Sequence, residues 1–315
     1  MGDQEISLVA VVGSGAMGSQ IAMVCALAGY PVILQDVYPE SLEKAKALLN
    51  EQMDKRVKKG RYSREEVDQA FDRIRFTEDI RDLASADLVI EAIVEKLDAK
   101  RDLFGRLGQI VSPHTILATN SSTIVSSKLA DTVQFTENVC NIHFFNPALV
   151  MELVEVVKGP HTSDKTAEKC MAFIRSIGKT PVLLKKEISG FIANRILGKL
   201  TDEALFLYEN GYATHEEIDL VCKKALNHPI GPFALMDLTG IDVNYFVRSQ
   251  RYQESGDERD KPSRVVAEKV EKGELGKKTG KGFYEYDENG VRIEGEGVPQ
   301  VSENQKALTT GGPEG

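Results

Sequence analysis

No stretch of the 315-residue chain reaches the roughly eighteen consecutive apolar residues that a membrane-spanning helix needs, so no helical bilayer crossing is expected. Cysteine is scarce: Cys25, Cys140, Cys170 and Cys222 lie far apart, form no CxxC pair and sit among apolar neighbours. That pattern predicts reduced core thiols with no disulfide or metal role. Basic residues are outnumbered, 39 Lys and Arg against 48 Asp and Glu, which leaves a formal charge of −9. The balance excludes a general binder of nucleic acid or anionic membrane, since either needs a basic face, and any anionic ligand must meet a local basic patch. The opening Met1-Gly-Asp-Gln-Glu-Ile6 has neither the basic flank nor the small-residue cleavage site of a secretory signal, so the cytoplasm is the expected compartment.

What is present is an ordinary globular composition, 42% hydrophobic and 28% charged, in a chain long enough for two domains. From Ile6 to Lys185, short β-branched runs alternate with longer helical stretches, the pattern of βαβ units around a mostly parallel sheet. Strands are expected at 8–12, 32–34, 74–77, 88–92, 116–118, 139–144, 153–157 and 181–184. Residues 40–73 are heavily charged, helical in period and broken at Lys59-Gly60, which predicts an inserted hairpin of two helices. After Lys186 the strand signal disappears. Residues 190–209 read as one helix with Ile192, Ile196, Leu200, Ala204 and Tyr208 along a stripe, and Asn227-His-Pro-Ile-Gly-Pro232 reads as a rigid turn.

Val9-Ala-Val-Val-Gly13-Ser-Gly15-Ala16-Met17-Gly18 is a strand running into a GxGxxG loop that opens a helix. The glycines act by different mechanical means. Gly13 makes the tight turn, Gly15 lets a pyrophosphate approach the backbone, and Gly18 lets helix and strand pack closely, with the helix N-terminus facing the phosphates. A second strand follows and ends at Asp36, 18 residues after Gly18, where a carboxylate can accept from both ribose hydroxyls. Asp36 would repel a 2′-phosphate and no arginine follows closely, so NAD is expected rather than NADP. The expected fold is therefore α/β, a Rossmann-type mostly parallel sheet with an inserted helical hairpin, followed by an all-α C-terminal domain. Its boundaries are 1–186 for the NAD-binding domain, 187–294 for a helical substrate and dimerisation domain, and 295–315 for a flexible tail.

In an open parallel sheet, ligands bind beyond the carboxyl ends of the strands, so the polar residues closing each apolar run are the candidates. Glu91 closes one run and Lys96 follows it; Asn120-Ser121-Ser122 closes another; His143-Phe-Phe-Asn146-Pro147 closes a third. A lone histidine is commonly a satisfied core residue, but His143 ends a strand in a chain built to bind a hydride acceptor. Oxidising an alcohol needs a base for the hydroxyl proton, and imidazole titrates nearest neutrality. A carboxylate partner would orient the ring and stabilise the imidazolium. Met151-Glu-Leu-Val-Glu-Val-Val157 offers Glu152 and Glu155 on opposite faces, and alternation does not rank them. On the long helix, Gly190, Asn194 and Gly198 recur at i, i+4; helical glycine costs about 1 kcal/mol against alanine, so close approach of a ligand or of another backbone is expected there.

Taken together, these motifs resemble the L-3-hydroxyacyl-CoA dehydrogenases, including the bacterial 3-hydroxybutyryl-CoA dehydrogenases, from the glycine loop to about Tyr286. The specific pieces are Asn120-Ser-Ser122, His143-Phe-Phe-Asn-Pro147, Leu153-Val-Glu155, Gly190-Phe-Ile-Ala-Asn194-Arg195, His228-Pro-Ile-Gly-Pro232 and Gly276-Lys-Lys-Thr-Gly-Lys-Gly-Phe-Tyr284. The resemblance implies His143 as general base with Glu155, rather than Glu152, as its partner, and Ser122 and Asn194 as groups holding the substrate. It also implies Glu91, Lys96, Asn120 and Asn146 around the nicotinamide ribose, Lys281 near the cofactor, and a homodimer through the C-terminal domain. Leu149 and Ser189 depart from the family pattern, each standing where proline is usual. The reaction so implied is reversible oxidation of an (S)-3-hydroxyacyl-CoA, with the polyanionic CoA meeting the basic run that contains Lys58 and Lys59. The alternatives are a related dehydrogenase of a non-CoA hydroxy acid such as gulonate or carnitine, and a non-catalytic NAD-binding structural protein.

Overall fold

A computed structural model describes residues 5–293; the segment expected to form a tail, 295–315, lies outside them. The chain divides into two compact units, the first ending at Arg195 and the second beginning at Ile196.

The first unit is built on eight strands, β1 (Val9–Val12), β2 (Val32–Gln35), β3 (Ile74–Thr77), β4 (Leu88–Glu91), β5 (Ile116–Thr119), β6 (Val139–Phe144), β7 (Leu153–Val157) and β8 (Thr180–Leu184). They are hydrogen-bonded in the order β3-β2-β1-β4-β5-β6-β7-β8. Every neighbouring pair is parallel except β6–β7, which is antiparallel. Each expected strand is present, within a residue or two of its expected ends. Because the strands are buried on both faces, they read as continuous apolar runs: Val9 and Val11 join one core, Ala10 and Val12 the other. The first core is closed by α1 (Ala16–Leu27), by the hairpin of α2 (Pro39–Lys58) and α3 (Arg64–Asp72), and by α6 (Asp164–Ser176). The second is closed by α4 (Leu97–Ile110) and the single turn α5 (Ser127–Ala130).

The hairpin holds together for legible reasons. Leu42, Ala45, Leu49 and Met53 form the buried stripe of α2, Gly60 takes φ +67 at the turn, and Ser63 and Glu66 exchange hydrogen bonds as a capping box that starts α3. All four cysteines are free and buried, with the thiols of Cys140 and Cys170 3.8 Å apart.

The turn between β8 and the next long helix differs from expectation. That helix, α7 (Ala193–Glu209), starts three residues later than its apolar period suggests, because Gly190 (φ +79) and Phe191 (φ +49) adopt left-handed backbone that no helix contains. Gly190 therefore belongs to a turn. The expected Ile192–Tyr208 stripe is likewise corrected: Ile192 and Ile196 are exposed, while Thr201, Ala204 and Leu205 form the buried face.

The second unit continues α7 and adds α8 (His215–Lys224), α9 (Pro232–Thr239), α10 (Ile241–Ser255) and α11 (Arg264–Glu271), with isolated antiparallel bridges among residues 276–292 as its extended elements among the described residues. Pro232 begins α9 at the position where proline costs least. Asp219 and Asp237 are its buried anchors. Asp219 accepts from the N–H groups of Phe233 and Ala234, and Asp237 from those of Phe283 and Tyr284, which pins the segment after Gly276 to the helices.

Candidate active site

The strand order reverses direction between β1 and β4, and the glycine loop sits at that switch point. Gly13 turns at φ +97, and a β-carbon there would stand 2.7 Å from the Ala92 carbonyl oxygen. One on Gly18 would stand 1.8 Å from the Gly13 carbonyl oxygen, so α1 packs against the end of β1 only because Gly18 lacks a side chain. Gly15 is different: a β-carbon there meets nothing within 4 Å. Tight support behind the loop and open space in front of Gly15, Ala16 and Met17 fit a dinucleotide whose pyrophosphate meets the first N–H groups of α1.

Asp36 follows β2, and its Oδ2 accepts from Ser14 N (2.7 Å) and Ser14 Oγ (2.8 Å), its Oδ1 from Tyr38 N (3.1 Å). The carboxylate is thus tied to the glycine loop. Ser14, the residue between the two first glycines, carries no sequence signal for that contact beyond being a small hydroxyl next to the turn.

His143 and Glu155 are register partners across the one antiparallel pair of the sheet. Nδ1 of His143 lies 2.9 Å from Oε2 of Glu155, with the two side chains 7% and 1% exposed. An ionised carboxylate accepts, so the Nδ1 proton belongs to this bond and Nε2 is the nitrogen left to act. The other oxygen, Oε1, accepts from the N–H groups of Ile192 (2.9 Å) and Ala193 (3.0 Å). Burial works against charge on Glu155, yet the hydrogen bonds from His143, Ala193 and Ile192 outweigh it and hold the carboxyl below the usual carboxylate range. Its stabilisation is therefore complete above that range and is lost as pH falls through the folded value. Glu152, the alternative carboxylate, is exposed outside β7.

The remaining residues gather around this pair in different ways. Asn194 is the second residue of α7 and follows directly on the N–H groups that hold Glu155. The Ser122 carbonyl accepts from Gly190 N at 3.2 Å, and the Asn120 side chain accepts from Phe144 N at 2.8 Å, so both ends of the 120–122 turn bear on the dyad. Asn146, in a cis peptide with Pro147, and Lys96, the residue before α4, are exposed. Leu149 packs on the core with its N–H 3.2 Å from Gln20 Oε1, and Ser189 Oγ lies 3.4 Å from the Thr123 carbonyl. Within the second unit, Lys281 is half exposed and paired with Glu274 at 3.4 Å and Glu285 at 3.7 Å.

Glu91 departs from expectation. Its side chain is fully buried, and its carboxylate is taken by Lys100 (2.6 Å), Thr119 Oγ1 (2.6 Å) and Ile93 N (2.7 Å), so it faces the interior and not the crevice. Lys100 also reaches Glu95 at 3.2 Å, and Glu95 accepts from the hydroxyls of Ser121 and Thr123. This network supports the 120–122 turn from below. It had a sequence signal: Lys100 precedes Leu103, Phe104 and Leu107 by three, four and seven residues, on the buried stripe of α4.

An imidazole with one ring nitrogen held by a buried carboxylate, at the same carboxyl edge of the sheet as a dinucleotide cradle, fits the class of NAD-dependent dehydrogenases. Two family models match, the 3-hydroxyacyl-CoA dehydrogenase NAD binding domain over residues 8–188 and the 3-hydroxyacyl-CoA dehydrogenase C-terminal domain over 190–286. The chain is 39% identical over 284 residues to a probable 3-hydroxybutyryl-CoA dehydrogenase of Bacillus subtilis, covering 90% of this chain and 99% of that one. It is 39% identical over 285 residues to the mitochondrial hydroxyacyl-coenzyme A dehydrogenase of Sus scrofa, covering 88% and 90%. The crystal structure of (S)-3-hydroxybutyryl-CoA dehydrogenase from Ralstonia eutropha superimposes with a TM-score of 0.84 at 37% identity, over 90% of this chain and all of that one. The chain belongs to the 3-hydroxyacyl-CoA dehydrogenase family.

Proposed function

We propose that this protein catalyses the reversible NAD-dependent oxidation of an (S)-3-hydroxyacyl-CoA to the 3-ketoacyl-CoA, with His143 as general base. The observation that carries the reading is the buried His143–Glu155 pair, in register at the carboxyl edge that also holds the glycine loop. NAD, when bound, accepts the hydride that leaves the carbinol carbon. Nε2 of His143 takes the hydroxyl proton, and Glu155 fixes the ring and stabilises the imidazolium that results. Ser122 and Asn194 hold the reacting oxygen; neither side chain has a hydrogen-bond partner among the described residues, so both are free to do so. Gly13 to Gly18 and Asp36 hold the adenosine and pyrophosphate end, while Lys96, Asn120, Asn146 and Lys281 serve the nicotinamide end.

The end of α2 suits the CoA phosphates. Lys55 is paired with Glu51, but Lys58 and Lys59 are exposed and have no ion pair among the described residues. In one spectrophotometric assay, acetoacetyl-CoA should be reduced with consumption of NADH, and the Lys58→Glu/Lys59→Glu variant should show a KM for acyl-CoA raised about tenfold with kcat little changed. No oxidation of NADH would remove the acyl-CoA reading, and an unchanged KM would remove the hairpin from it.

The domain division is proposed as an NAD-binding part to Lys186 and a substrate and dimerisation part from 187. Supporting a homodimer, the second unit leaves Phe206, Tyr212, Val221, Leu226, Leu238 and Phe246 exposed, each at least 50% open to solvent. Light scattering should return twice the chain mass; a single chain's mass at micromolar concentration would rule the dimer out. A cytoplasmic place in fatty-acid or butyrate metabolism is supported by the bacterial relatives named as 3-hydroxybutyryl-CoA dehydrogenases.

A further inference from the structure

Only one oxygen of Glu155 is engaged by the imidazole. The other accepts from the N–H of Ile192, just before α7, and of Ala193, its first residue. These are donors that every helix start leaves unpaired, and they lie at the positive end of the helix dipole. The segment that delivers them is held in costly backbone. Phe191 is a bulky residue at φ +49, a conformation that costs on the order of 1–2 kcal/mol outside glycine. It is 1% exposed, and its ring lies 5.4 Å from the imidazole on which the Phe145 ring also packs at 4.5 Å. Val182 stands opposite Glu155 on β8. The elements packed on the pair thus present Phe145, Phe191 and Val182 to it, and the titratable groups within it are His143 and Glu155 themselves.

A carboxylate shared among several donors binds each of them less tightly. With Glu155 serving His143 alone, the imidazolium would be stabilised more strongly and the ring would hold its proton further into the working pH range, where a general base must be free. We propose that the first turn of α7 sets the strength of the base: the N–H groups of Ile192 and Ala193 draw on the Glu155 carboxylate and so keep His143 in the uncharged form that accepts a proton. Phe191 is the positioning residue that aims those donors and keeps water from the pair. This inference rests on the reading of His143 as the base.

Ala193→Pro deletes one donor while preserving a helix start, since proline is tolerated at the first helical position. An ester at the same place, with lactic acid in place of Ala193, deletes the donor without the ring and decides the matter if the proline variant does not fold. In the cofactor-free protein, the His143 Nδ1 proton resonance should move downfield as its bond to Glu155 strengthens. In the active enzyme, the acid limb of kcat/KM for oxidation should move to higher pH by about half a unit, roughly a threefold loss on that limb. A resonance and a limb that both stay in place, in protein with the parent's circular dichroism, overturn the proposal. The resonance is read without substrate, so it tests the tuning even if turnover survives loss of His143, the outcome that would instead defeat the assignment of the base.

Discussion

Replacing His143 with alanine is expected to lower turnover by at least about 10²-fold while NAD still binds. The size follows from what the imidazole supplies. Without it the hydroxyl proton has no acceptor of suitable basicity, since Glu155 sits one side chain further back and one of its oxygens stays engaged by the N–H groups of Ile192 and Ala193. The glycine loop and Asp36 belong to other strands, so the cofactor cradle has no reason to change. Stopped-flow measurement of the hydride step, with NAD affinity measured alongside by calorimetry, separates the two effects. Near-normal turnover would end the assignment of the base; loss of NAD binding together with turnover would show that the ring supports the fold of the crevice.

The second large effect is on stability. Lys100→Met leaves the carboxylate of Glu91 fully buried without its cation, and breaking such a pair costs about 3–5 kcal/mol because the remaining charge is stranded. The double variant Lys100→Met/Glu91→Gln should recover most of that loss, since the glutamine oxygen still accepts from Ile93 N and its NH2 donates to the Thr119 hydroxyl in place of accepting from it, with no charge left to strand. Urea unfolding of the parent, the single and the double variant reads the difference directly. A single-variant loss below about 1 kcal/mol would mean that water, or a proton taken up by Glu91, compensates the carboxylate, and that the pair is not what secures the end of β4.

Much of this molecule is written in its local sequence. A strand buried on both faces is an uninterrupted apolar run, which is why β1, β4, β5 and β6 were legible without any knowledge of their neighbours. The spacing of the glycine loop was legible too, although only Gly18 answers a demand a few residues away, from the Gly13 carbonyl, whereas Gly13 answers to Ala92 beyond another strand and Gly15 faces open space. Pairing across the sheet is another matter. Glu152 and Glu155 look alike along the chain, and the antiparallel register that sets Glu155 against His143 is a property of two strands together. Family resemblance chose between them; periodicity did not. Gly190 misled for the opposite reason. Its spacing to Asn194 and Gly198 is helical, but the backbone at Gly190 and Phe191 is set by what Glu155 and the imidazole require of the following turn. Glu91 misled as well, because an acidic residue at a strand end signals a ligand only when nothing inside the protein claims it, and here Lys100 does.

The single antiparallel pairing of the sheet has a consequence for how this protein can vary. Side chains on a strand alternate between faces, so adding or removing one residue in the connection 145–152 would slide β7 by one position and bring Val154 or Val156 opposite the imidazole, with the carboxylate thrown to the far side. Loops elsewhere on the surface can lengthen or shorten between species at little expense, whereas this one is expected to keep its length even where its residues drift.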